Sequence, residues 1–175
     1  ISRDQYIGIM TGLWTAMKYV DDPDVQFIAK KWIKNVVKLL LENNWVVYTP
    51  GDSISVSWLG VFPQQLAYVY MAKLADPTFP PFEEAYEKYK HLADLVWMPL
   101  WLETFDQHRK YYKFNLAHTA MYALMKLETN PMRWLKCYYG FRIMRSALRH
   151  HQNAWFSTIE TWVAPWRVTA LKSEI

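Results

Sequence analysis

The chain has 175 residues, a formal charge of +4 and 52% hydrophobic residues, which bounds it to one domain with a sizeable core. Acids and bases are interspersed, so no basic arm for nucleic acid is present, and no apolar run nears the roughly twenty residues that span a bilayer. Five glycines are too few for a turn-rich sandwich or barrel, whereas ten Trp and twelve Tyr suit gap-filling between helices or a stacking surface for a ligand.

From the start of the chain, Ser2-Arg3-Asp4-Gln5 has the form of a capping box. Tyr6, Ile9, Met10, Leu13, Trp14 and Met17 follow at three- and four-residue steps, one apolar stripe of a helix. Gly8 and Gly12 lie four apart on an adjoining face, where a close helix contact would explain them. The opening at Ile1, with a cap already in place, leads us to expect a processed piece of a longer protein.

Asp22-Pro23 predicts a second helix start, followed by a stripe of Val25, Ile28, Ala29, Trp32, Ile33, Val36 and Leu40. Lys30, Lys31, Lys34 and Lys38 form its solvated face, and Asn43-Asn44 is the expected stop. Residues 45–57 then read as a small β-hairpin, with β-prone runs on either side of the turn Thr49-Pro50-Gly51-Asp52.

The second unit runs over residues 62–103. Its first helix carries Leu66, Ala67, Tyr70, Met71 and Leu74 to Asp76-Pro77, and its partner starts after Pro80-Pro81 and continues to Val96, with Pro99 as a kink or stop. Thr104 to Tyr112 reads as a loop. The third unit covers residues 113–149 and contains the step Asn130-Pro131; the tail 150–175 holds a short helix near Trp155 to Val163, ended by Pro165.

The three steps place proline at 23, 77 and 131, a constant interval of 54. Met17, Met71 and Met125 match at the same offset, as do the aromatics Trp14, Tyr68 and Tyr122. The expected architecture is therefore all-α: three antiparallel helical hairpins (residues 2–43, 62–103 and 113–149) with a 54-residue period in a single domain.

Short proline turns gather at one end of such a stack and long connections at the other. That loop pole should collect Ser2, Arg3, Asp4 and Gln5, then Trp58, Gln64 and Gln65, then His108, Tyr112, Asn115 and His118, and finally His150, His151, Asn153 and Trp155. Acid, base, amide and aromatic groups at one pole suit a hydroxyl-rich ligand. The binding candidates are Arg3, Gln5, Trp58, Gln64, Asn115, His118, Asn153 and Trp155; Asp4 is the one candidate for acid–base work. Its second titrating group stays open among Glu103, Asp106 and His118. The bland alternative also stays open: these residues cap helices and tie loops together.

Other chemistries find no support. There is no H-E-x-x-H, no His pair at four-residue spacing and no phosphate-binding glycine loop, so neither a metal nor a cofactor is expected. Adjacent His150 and His151 diverge on a helix, and His91 lies in a polar stretch. Cys137, the single cysteine, reads as a buried apolar residue. No compartment follows from the sequence.

Hairpins of this repeat length resemble the building units of (α/α) toroids, the fold of many glycoside hydrolases and polysaccharide lyases. The opening Ser2-Arg3-Asp4-Gln5-Tyr6 with Gly8 and Gly12 also resembles the start of helical domains in uncharacterised bacterial and phage proteins. The toroid resemblance implies a polysaccharide or oligosaccharide ligand at the loop pole. Since a full toroid holds about six hairpins, three units imply an open, partial ring or solenoid. An open ring leaves an apolar concave face, so a non-catalytic assembly protein, such as a virion or tail component joined to other subunits, is the competing expectation.

Overall fold

A computed structural model describes residues 2–51, 53–103, 105, 112–150 and 153–163. These form a predominantly α structure with one small antiparallel sheet. In chain order the elements are α1 (Arg3–Tyr19), α2 (Pro23–Glu42), β1 (Val46–Tyr48), β2 (Ile54–Ser57), α3 (Phe62–Ala75) and α4 (Pro80–Tyr89). A 3₁₀ segment (Lys90–Asp94) leads to α5 (Trp97–Glu103), and α6 (Tyr112–Leu127), α7 (Pro131–Ala147) and α8 (Ala154–Val163) follow.

The first helices of the three expected hairpins, α1, α3 and α6, touch one another, while α2, α4 and α7 pack outside them. The positions matched at the 54-residue offset lie on those first helices. Trp14 and Tyr68 are fully buried, and Trp14 meets Tyr122 edge-on at 6.0 Å. Helix α3 is central, in contact with α1, α2, α4, α6 and the 3₁₀ segment. It is accordingly buried on every side from Pro63 to Ala72, a helix apolar all round rather than amphipathic. Leu74, expected in the core, lies beyond that collar and is exposed.

Two of the three proline steps are caps. The Asp22 carboxylate accepts from the amides of Asp24 (2.9 Å) and Val25 (3.1 Å), and the Asn130 side chain accepts from the Arg133 amide (3.0 Å). The third is not. Asp76 ends α3 rather than starting α4, its amide bonding Ala72 O at 2.9 Å, and the next helix opens at Pro80. The Asp76 carboxylate instead accepts from Lys34 Nζ (2.6 Å) and Thr78 Oγ1 (3.0 Å), tying the turn to α2. The partner of α3 is also shorter than the apolar spacing implied. It stops at Tyr89, ahead of Pro99, which falls in the first turn of α5, where its missing N–H costs no helical bond.

Asn44 (φ 50°) and Trp45 (φ 65°) turn the chain from α2 into β1. A left-handed Trp is uncommon, and two bonds hold it there: its amide donates to Leu40 O (2.7 Å) and its indole Nε1 to Tyr89 Oη (2.7 Å). β1 and β2 then pair in the expected hairpin, with an irregularity at Val47/Tyr48 and Gly51 at φ 96° in the turn.

Only α1 and α3 pack closely on α2. Its core face is Ala29, Ile33, Val37 and Leu40, whereas Val25, Ile28 and Trp32 of the expected stripe are exposed. Ile9 of α1 is exposed likewise. Gly8 and Gly12 make no close helix contact, since an added Cβ would meet nothing within 4 Å at either. Cys137 is buried, and burial pushes its thiol up to about 12.

Candidate functional site

The starts of α1, α3 and α6 converge on one cavity of about 270 Å³. Ser2, Arg3 and Asp4 come from α1, Val61, Pro63 and Gln64 from the α3 entry, and Tyr112, Lys113, Leu116, Ala117 and Ala120 from α6. β2 adds Ser55 and Val56, and α5 adds Pro99 and Leu100. Polar groups from the helix starts thus face apolar side chains within a single cavity.

Each group is placed by local structure. The Gln5 carbonyl oxygen accepts from the Ser2 amide at 2.8 Å, which fixes the first turn of α1 with Arg3 and Asp4 at the cavity. The Ser2 hydroxyl, the amides of Asp4 and Gln5, and the neighbouring Arg3 hold the Asp4 carboxyl below the usual carboxylate range. Asp4 is therefore a carboxylate at neutral pH, an acceptor for hydroxyl groups rather than a proton donor. Gln64 is only 4% exposed, and its Oε1 accepts from Trp58 Nε1 at 2.8 Å. Trp58 is itself fully buried between the edge of Tyr6 (4.8 Å) and Tyr68 (6.3 Å).

Of the sequence candidates, the cavity brings together Arg3, Asp4, Gln64 and Tyr112. Gln5 stands beside it as half of the cap. Trp58, expected to offer a ring to ligand, lies behind the wall and holds Gln64, because its large ring fills the space between Tyr6 and Tyr68. Asn115, His118, Asn153 and Trp155 do not line the cavity. His118 is fully buried and stacked on Phe156, with its pKa pushed down to about 4 by burial. Asn153 caps α8, accepting from the amides of Trp155 (2.9 Å) and Phe156 (3.4 Å). Trp155 is exposed on that helix. Asp106, His108 and His151 lie outside the described residues.

Ser55, Pro99 and Lys113 were not among the sequence candidates. Lys113 carried a legible signal, since it follows Tyr112 at the opening of the third unit; Ser55 and Pro99 reach the cavity only through tertiary packing. Among the described residues no three His, Cys, Asp or Glu side chains are grouped to hold a metal, and no helix is long and apolar enough to cross a membrane. Comparison with family models, with curated proteins and with solved structures finds no match to this chain.

Proposed function

We propose that this chain is a carbohydrate-binding domain whose loop-pole cavity receives a sugar unit of an oligo- or polysaccharide. One observation carries the reading: an ionised acceptor (Asp4), a cation (Arg3), a buried amide (Gln64) and two hydroxyls (Ser2, Ser55) line the same cavity as Pro63, Leu116 and Ala117. Sugars offer hydroxyls on their rim and C–H groups on their faces, and this lining meets both. The cavity lies just below the usual ~300 Å³ lower bound of ligand sites, which fits one ring and leaves the rest of a polymer outside. The mutual contact of α1, α3 and α6 supports the partial-toroid reading of the hairpins. A glycan array followed by calorimetry tests the proposal. Binding should fall at least about tenfold in Arg3→Ala and in Tyr112→Ala, each removing about 1.4 kcal/mol or more. No binding to any glycan at millimolar concentration would sink it.

A second reading, a non-catalytic assembly protein, is favoured by an exposed aromatic ladder. Trp97 and Trp101 lie 6.5 Å apart, Trp101 and Phe105 4.8 Å apart edge-on, and all three are well exposed. Partner rings on such a surface are typical of protein interfaces. Sedimentation of the Trp97→Ala/Phe105→Ala variant tests it, with loss of an assembled state as the expected result.

A further inference from the structure

Helix α2 is apolar over an arc twice as wide as the bundle covers. Ala29, Ile33, Val37 and Leu40 face the core. Val25, Ile28, Trp32, Val36 and Leu39 recur at three- and four-residue steps beside that face, forming a straight second stripe along the helix. Val25, Ile28, Trp32 and Leu39 are exposed, Trp32 by 57%, and no described element lies over them. A solvated helix face carries polar residues at these positions. Here the polar residues are displaced to the flanks instead.

The flanks specify the occupant. Asp24 and Lys38 lie on the same flank at opposite ends of the stripe, fourteen residues or about four turns apart. Laid antiparallel against a second copy about an axis near Trp32, the stripe meets itself: Val25 faces the partner stripe's Leu39 end, and Trp32 packs near its own copy. The same reversal sets Asp24 of each copy opposite the basic position 38 of the other, at both ends of the contact. Lys31, midway on that flank, meets its equivalent and keeps its ammonium in water on a flexible stem. A parallel pairing would set Asp24 against its own copy and Lys38 against its own copy. A two-fold axis is also the commonest symmetry of soluble oligomers.

The area is sufficient. The stripe exposes on the order of 400 Å² per copy, and with flanking side chains a pair passes the roughly 1,000 Å² that a specific interface needs. We infer that the exposed face of α2 is a self-association surface, forming an antiparallel α2–α2 homodimer of this chain through Val25, Ile28, Trp32 and Leu39. The inference depends neither on the carbohydrate reading nor on the aromatic ladder of α5.

Sedimentation velocity on the full chain over a concentration series, with circular dichroism for fold, decides it. A reversible dimer is expected, and Trp32→Glu should convert it to monomer with its helix content unchanged. Phe27→Glu, on the opposite flank of α2, should leave the dimer intact. Asp24→Lys should weaken association at least about tenfold, and Asp24→Lys/Lys38→Asp should restore it, a rescue that a folding defect cannot give. A monomeric parent chain at every concentration overturns the inference. So does a dimer indifferent to Trp32→Glu, or one that the double charge swap fails to restore.

Discussion

The His118 imidazole lies flat on the ring of Phe156, centroids 3.8 Å apart and planes 6° from parallel, and this stack fastens α8 to α6. Nδ1 lies 2.7 Å from Phe114 O and so carries the proton, while Nε2 is buried without a partner. Burial pushes the pKa from 6.5 to about 4, and the nearby Arg145 adds to the shift. The folded value is the lower one, so the unfolded chain binds the extra proton first. Stability is fully present above the unfolded pKa, falls as the pH drops through about 6.5, and levels off below about 4. The loss amounts to up to roughly 3 kcal/mol. Urea unfolding measured between about pH 7 and pH 4 should show this slope, and His118→Phe should flatten it. An unchanged slope in that variant would place the acid sensitivity elsewhere.

Glu128 is fully buried at the turn between α6 and α7 and accepts from Arg133 Nε at 3.0 Å and from the Tyr70 hydroxyl. Arg133 also donates to Tyr86 Oη at 2.9 Å, so one guanidinium links three of the bundle's helical connections. Burial and the Glu128 carboxylate push the Tyr70 phenol well above its ordinary range, keeping it a donor. Arg133→Ala strands a buried carboxylate and should cost about 3–5 kcal/mol. Arg142→Ala breaks an exposed pair with Glu160 (3.3 Å) and should cost under about 1 kcal/mol. Comparable melting temperatures for the two variants would contradict this ranking.

The turn ends separate caps from look-alikes. Asp22→Ala removes two bonds to α2 amides and should cost about 1 kcal/mol, with Asp22→Asn recovering most of it. At Asp76 no helix start is at stake. Asp76→Asn should lower stability by under about 1 kcal/mol, because it loses charge against a partly exposed Lys34. Denaturant titration of the four chains, parent included, measures the contrast.

Much of this architecture was legible because local chemistry and tertiary context agree. Asp22-Pro23 and Asn130-Pro131 read as caps because a short acceptor before proline satisfies helix amides with no help from elsewhere. Asp76-Pro77 has the same letters, but Lys34 of another helix captures its carboxylate and the helix starts three residues later. The same limit governs the cavity. Arg3, Asp4 and Gln64 sit at helix starts, so the hairpin register brought them to one pole. The opposite orientation of Trp58 and His118 depends on which neighbours enclose their rings, Tyr6 and Tyr68 for one and Phe156 for the other. No periodicity in a single chain encodes that choice.

Glycine substitutions should change sign with position. In a helix, Gly to Ala ordinarily stabilises by about 1 kcal/mol, because alanine has less backbone freedom to lose. Gly8 and Gly12 of α1 are exposed with nothing within 4 Å of an added Cβ, so Gly8→Ala and Gly12→Ala should each stabilise by about 0.5–1 kcal/mol. Gly140 of α7 is buried where α7 crosses the start of α5. A Cβ there would lie 3.0 Å from Trp97 Cα, 3.2 Å from its amide nitrogen and 3.3 Å from Leu100 Cδ1. Two of those atoms belong to backbone, which cannot rotate aside as a flexible side chain can. Gly140→Ala should therefore destabilise by about 1–3 kcal/mol as α5 is forced off α7. Because Pro99 and Leu100 of α5 line the loop-pole cavity, the same variant should also weaken any ligand that the cavity binds. Thermal melts of the three variants test the pattern; a stabilising Gly140→Ala would show that α5 does not pack against α7 at this distance.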